Sequence, residues 1–134
     1  MQEKLNHITA KDFMSASLVT FTPATSILDA IRELLDKGIS GAPVIDRYGG
    51  LIGMLSEKDC LKVALNASYF GEAGGKVEDF MTREPVTVEA DASIIEVAQM
   101  FLKSPFKRYP VVTDNRIVGQ ISRSDVLRAI DKLA

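Results

Sequence analysis

The sequence predicts an α+β fold in which one unit, strand–helix–strand–strand–helix, is written twice. Three observations carry that prediction. First, short motifs return in order at an offset of about 67 residues: Asp12-Phe13-Met14 as Asp79-Phe80-Met81, Val19-Thr20 as Val86-Thr87, Ser26-Ile27 as Ser93-Ile94, and Pro43-Val44 as Pro110-Val111. Second, each copy has an apolar stripe at helical spacing behind a serine. Third, each copy has a Pro-Val run and a second β-rich run, then Gly-x-x-Ser-x-x-Asp: Gly53, Ser56 and Asp59, then Gly119, Ser122 and Asp125. The offset drops by one residue in the last stretch, as a single deletion in a turn would produce. A fixed period decides architecture before any local reading. A copy of roughly 50 residues buries too little core by itself, so the two are expected to pack about a pseudo-twofold axis. The predicted segments are 8–65 and 77–133, joined by a connection at 66–76 that carries Gly71, Gly74 and Gly75.

Each element has a local reason. Leu18-Val19-Thr20-Phe21 and Pro85-Val86-Thr87-Val88 are short β-rich runs and read as strands. Ser26-Ile27-Leu28-Asp29 and Ser93-Ile94-Ile95-Glu96 read as capping boxes, with serine as N-cap and an acid at the third helical position. Behind them Ile27, Ala30, Ile31, Leu34 and Leu35, then Ile94, Val97, Ala98, Phe101 and Leu102, make helical stripes that require cover. Burying each large aliphatic contributes about 1.5–3 kcal/mol. Gly38 suits the stop of the first helix and Pro105 that of the second. Ala42-Pro43-Val44-Ile45 and Tyr109-Pro110-Val111-Val112 read as strands opened by proline. The turns after them lead back into Leu51–Leu55 and Ile117–Ile121, so each pair is a predicted hairpin. Final helices start at Ser56 and Ser122; Leu61, Ala64 and Leu65 continue the first, Leu127 and Ile130 the second. Tyr69 and Phe70 read either as aromatics that anchor the connection or as residues that line a site.

Composition excludes several classes. A net charge of -2 gives no basic footprint for nucleic acid. No apolar run approaches the roughly 20 residues a bilayer span needs. Cys60 is the single cysteine, which rules out an internal disulfide and fits a reducing cytoplasm; it reads as a small packing residue. His7, the one histidine, has no second group to pair with and reads as a surface or packing residue. There is no nucleophile–base pair, metal-ligand cluster or phosphate loop, so no enzyme is expected.

The chemistry resides in Gly53–Asp59 and Gly119–Asp125. A serine followed by an acid at the third position has two readings. One is a plain capping box. The other is a nucleotide site, in which a helix N-terminus faces phosphate and a carboxylate accepts both hydroxyls of a ribose diol.

With the Val-Thr and Pro-Val strands upstream of it in both copies, the Gly-x-hydrophobic-Ser-x-x-Asp motif resembles that of cystathionine-β-synthase-type (CBS) domains, across nearly the whole chain. Such domains occur as tandem pairs, Bateman modules, that sense AMP, ADP, ATP, S-adenosylmethionine and related adenosine ligands. The resemblance implies two CBS-type repeats with an adenosine ligand in the cleft between them and no obligatory cofactor. Asp59 and Asp125 match the ribose-binding acid. Ser56 and Ser122 match the hydroxyl beside ribose or phosphate, and Thr20 and Thr87 the strand threonine beside the ligand. The backbone near Ala42-Pro43 and Tyr109-Pro110 matches the part that meets adenine. It also implies a homodimer with helices packed across the interface, and a regulated protein that the sequence does not identify.

The copies differ in charge. Lys107-Arg108 precede the second Pro-Val strand where Ser40-Gly41 precede the first. These cations either hold phosphate, Arg108 in bidentate fashion, or form a solvated basic edge. Lys58 and Arg123 sit just inside the last helices and have the same two readings. The function expected is a cytoplasmic regulatory sensor of adenosine nucleotides without nucleic acid or membrane partners; the alternative is a ligand-free dimerisation or docking scaffold.

Overall fold

The computed structural model describes residues 2–71 and 74–133. In chain order the elements are α1 (Gln2–His7), α2 (Ala10–Phe13), α3 (Ile27–Lys37), β1 (Gly41–Ile45), β2 (Leu51–Ser56), α4 (Glu57–Cys60), α5 (Lys62–Phe70), α6 (Val77–Phe80), β3 (Thr82–Arg83), β4 (Val88–Glu89), α7 (Ile94–Lys103), β5 (Arg108–Thr113), β6 (Arg116–Ser122) and α8 (Arg123–Leu133). The fold is α+β, with a three-stranded sheet in each of two compact units.

The units do not coincide with the sequence repeats. A central unit comprises 19–85; a terminal unit joins 1–18 to 86–134. The Asp-Phe-Met segment that opens each repeat therefore folds with the other repeat's hairpin. Asp12 and Asp79 are caps: each carboxylate accepts the amide three residues back, Thr9 N and Lys76 N, at 2.9 Å. They start the one-turn helices α2 and α6, which carry too few residues to show a helical period.

In the central unit β1 and β2 form the predicted hairpin, with Val44 opposite Gly53, and β3 adds antiparallel to β2. Asp46 Oδ1 accepts the amides of Tyr48 and Gly50 at 2.8 and 2.9 Å and closes the turn. The Leu18–Phe21 run is not a strand. Its pairing reduces to one parallel bridge at Phe21, whose N–H donates to Pro43 O and whose carbonyl accepts from Ile45 N. Phe21, Ile27, Ala30, Leu34, Val44, Leu55, Val63, Val77 and Phe80 make the core.

In the terminal unit β5 and β6 form the second hairpin and β4 adds parallel to β5, so the second β-rich run does make a strand, at Val88–Glu89. Asp114 and Asn115 turn the hairpin with φ of 51° and 62°, the left-handed pair that a two-residue turn demands. The turn spans 113–116 between Val112 and Ile117, against 46–50 between Ile45 and Leu51, which locates the one-residue deletion. The core gathers Ala10, Val88, Ile94, Val97, Phe101, Tyr109, Val111, Ile121, Val126 and Ala129.

Three local expectations need correction. Ser93 Oγ accepts Glu96 N at 3.2 Å and caps α7 as predicted, but Ser26 makes no side-chain cap. Instead Ser26 pairs with Lys76, and Gly75 O takes the Ile27 amide at 3.0 Å. Gly38 ends α3 in the left-handed conformation, φ 62°, as read from sequence. The stripes are narrower than predicted: Leu35 and Leu102, at equivalent positions, are 73% and 87% exposed. The first part of the expected connection is helical, because α5 runs to Phe70. Tyr69 is exposed on it, while residues 72–73 and the Phe70 side chain lie outside the described residues.

Candidate functional site

The Gly-x-x-Ser-x-x-Asp motif runs from strand into helix in both units. Its glycine is a packing residue. A Cβ on Gly53 would lie 2.7 Å from Met81 Sδ and 3.0 Å from Thr82 O; one on Gly119 would lie 2.5 Å from Met14 Sδ and 2.7 Å from Ser15 O. The methionine of Asp-Phe-Met and the glycine of the motif are thus two halves of one contact.

The serine and the acid form capping boxes. Ser56 N donates to Asp59 Oδ2 at 3.0 Å and Asp59 N to Ser56 Oγ at 3.1 Å. Ser122 N donates to Asp125 Oδ2 at 2.7 Å and Asp125 N to Ser122 Oγ at 3.2 Å. The structural reading of the motif is therefore realised in both copies. It leaves each serine hydroxyl its own proton to donate and each carboxylate unused lone pairs. The first helical amides are also taken: Glu57 N donates to Ser40 O at 2.9 Å and Arg123 N to Lys107 O at 3.2 Å.

Both aspartates are buried, 6% exposed. Each has a cation one turn on: Lys62 Nζ lies 3.3 Å from Asp59 Oδ1, and Arg128 pairs with Asp125 Oδ1. The bond from Thr82 Oγ1 to Asp59 has no counterpart among the described residues of the terminal unit. Thr82 was not among the residues read from sequence. Its signal was present in the repeat alignment, where it follows Asp79-Phe80-Met81 as Ser15 follows Asp12-Phe13-Met14.

The helices behind the caps differ. After Ser122, α8 runs unbroken for 11 residues. After Ser56, α4 passes through Leu61, itself in helical conformation (φ -63°, ψ -24°), into α5. The basic residues gather at the Ser122 end: Arg108 pairs directly across from Ser122, and Lys107, Arg108 and Arg123 are exposed. Arg123 also donates to Ser104 O at 3.4 Å. Across from Ser56 stands Gly41, and the only predicted cation there is the exposed Lys58.

Ala42, Pro43, Tyr109 and Pro110 are buried strand residues, so only their backbone can reach a ligand, and Pro43 O is already taken by Phe21 N at 2.9 Å. The Tyr109 side chain points into the core, its hydroxyl 2.6 Å from Ser104 Oγ and 3.1 Å from Met100 O. Thr20 and Thr87 are half-buried at the strand approaches. Among the described residues no three His, Cys, Asp or Glu side chains gather into a metal site. Cys60 is half-buried against the central core; burial, with Asp59 and Glu57 beside it, pushes its thiol pKa up. Among the described residues no helix is long and apolar enough to cross a membrane.

Comparison with known proteins follows the same outline. The crystal structure of CBSX2 of Arabidopsis thaliana in complex with AMP superposes with a TM-score of 0.82 at 32% identity, covering 94% of this chain and 98% of that one. The CBS domain pair of MJ0100, in complex with 5′-methylthioadenosine and S-adenosyl-L-methionine, gives 0.74 at 28% identity, with coverage of 94% and 98%. The A-adding tRNA nucleotidyltransferase of Aquifex aeolicus is 33% identical over 97% of this chain, which spans 15% of that enzyme's length. Residues 10–66 and 77–132 each match the CBS domain, and the chain belongs to the CBS domain family.

Proposed function

We propose that the chain is a regulatory module that binds an adenosine-containing ligand, AMP, ADP, ATP or S-adenosylmethionine, and passes its occupancy to another protein or to its own oligomer. The observation that carries this reading is the setting of Asp125. A buried carboxylate, held by Ser122 N and Arg128, sits in the first turn of α8, with Arg108 across from Ser122 and the exposed Lys107 and Arg123 nearby. A carboxylate suits a ribose diol and the cations suit phosphate. AMP in CBSX2 and the two adenosine compounds in MJ0100 share that diol. In this reading Asp125 accepts the ribose hydroxyls, Ser122 donates to ribose or phosphate, Arg108, Lys107 and Arg123 balance phosphate, and Thr87 flanks the ligand. Asp59, Ser56, Lys58 and Thr20 are the counterparts in the other repeat, and the strand backbone at 42–43 and 109–110 faces adenine.

The role is binding rather than catalysis. Ligand binding shifts a conformational equilibrium only by its differential affinity for the two states. A homodimer is the natural oligomer. Leu35 and Leu61 of the central unit, and Leu102, Leu127 and Ile130 of the terminal unit, are exposed and line apolar grooves between helices. Contiguous apolar surface of that kind marks an interface. A lone cysteine fits a reducing compartment such as the cytoplasm.

A thermal-shift series with AMP, ADP, ATP and S-adenosylmethionine tests the reading. A ligand at a hundred times its Kd stabilises by about 2.7 kcal/mol, a rise of several degrees. No shift with any of the four overturns it. That result would favour a ligand-free docking scaffold, for which the completed capping boxes at Asp59 and Asp125 are the supporting observation.

A further inference from the structure

We infer that Thr82 makes the two ribose positions unequal: its hydroxyl closes the Asp59 carboxylate, so a nucleotide uses the Asp125 position alone. This rests on the nucleotide reading above and goes beyond it by naming the residue that sets the number of sites. Thr82 Oγ1 lies 3.2 Å from Asp59 Oδ1 and 3.3 Å from Oδ2. Near-equal distances put the hydroxyl close to the plane midway between the two oxygens, so its one proton is shared by both. A vicinal diol donates one hydrogen to each oxygen and competes for the same two acceptors. Ser56 N at Oδ2 and Lys62 Nζ at Oδ1 occupy further positions on the same group. A carboxylate offers about four lone-pair positions, so little acceptor capacity is left for a ligand. Thr82 is exposed while Asp59 is buried, so the hydroxyl covers the carboxylate from the outside.

Asp125 differs. Its partners are Ser122 N on Oδ2 and Arg128 on Oδ1, and among the described residues no hydroxyl bridges its two oxygens. The immediate settings of the two carboxylates otherwise match. The two aspartates are equally buried, each has a cation three residues on, and each completes a capping box. The backbone is also matched, with Thr82 paired to Met54 and Ser15 to Gln120. What differs is the side chain: Ser15 Oγ turns to Ser17 O, at 3.5 Å, and makes no bond to Asp125.

Isothermal calorimetry with AMP and with S-adenosylmethionine, read as equivalents per chain, tests this. The wild type is expected to take one equivalent of the ligand it binds. Thr82→Ala should take two, and Thr82→Ser, which keeps the hydroxyl, should stay at one, with each variant checked by its melting transition. Two equivalents in the wild type overturn the inference without any variant and leave the nucleotide reading standing. One equivalent in a folded Thr82→Ala does the same. No binding of either ligand by the wild type overturns both.

Discussion

The central and terminal units follow one plan and complete their sheets from opposite sides. In the central unit the third strand is β3, the segment after the short α6 helix, and the Val-Thr run contributes a single bridge at Phe21. In the terminal unit the third strand is β4, at the end of the Val-Thr run, and the segment after α2 contributes a single bridge at Ser15. Each position exists in both units, and each is promoted to a strand in one. The difference teaches that the repeat specifies which segments meet, while a few side chains decide how firmly. Thr82, in the firmer β3 segment, is bonded to Asp59; Ser15, in the looser one, turns its hydroxyl to Ser17 O instead.

The largest expected effect breaks the packing the units share. Gly53→Ala and Gly119→Ala both drive a methyl into a methionine and a backbone carbonyl, and overpacking of that kind costs about 1–3 kcal/mol. The approach is closer at Gly119, 2.7 Å to Ser15 O against 3.0 Å to Thr82 O. Urea denaturation should therefore place Gly119→Ala as the more destabilised. Equal stability of both variants and wild type would remove the glycine–methionine contact from the account.

A smaller effect sharpens the comparison at the helix starts. Ser93→Ala removes a formed cap and should cost about 1 kcal/mol in the same denaturation experiment. Ser26→Ala removes none and should cost no more than a few tenths. Equal losses would mean that Ser26 caps α3 after all.

The smallest effect concerns Cys60, whose place the terminal unit gives to the buried Val126. With its thiol pKa raised by burial and by Asp59 and Glu57, the thiolate fraction near pH 8 is lower than in the unfolded chain. Iodoacetamide should alkylate it more slowly in buffer than in urea, and rates as fast in buffer would contradict the burial.

Much of this was legible in the sequence because it depends on local chemistry. Gly38, the hairpins, the Ser93 cap and both Ser-x-x-Asp caps follow from residues a few positions apart. What was not legible depends on distant neighbours. Ser26 has the same local pattern as Ser93 but loses its cap to Gly75 and Lys76. Leu35 and Leu102 fit the helical stripe yet face outward, because a period cannot say how wide the covering surface is. The Asp-Phe-Met echo marked the repeat, but not that each copy folds onto the other repeat's glycine. At the candidate site, motif and charge point to the aspartates and the basic residues, whereas the bond from Thr82 to Asp59 spans 23 residues of sequence and no local pattern announces it.

The central claim is that Asp125 holds the ribose of an adenosine nucleotide, and calorimetric titration of AMP into the wild type and Asp125→Ala tests it most directly. Loss of charge-assisted hydrogen bonds predicts affinity lower by about tenfold or more in the variant. Full affinity in a folded Asp125→Ala would contradict the claim and leave Asp125 a helix cap alone.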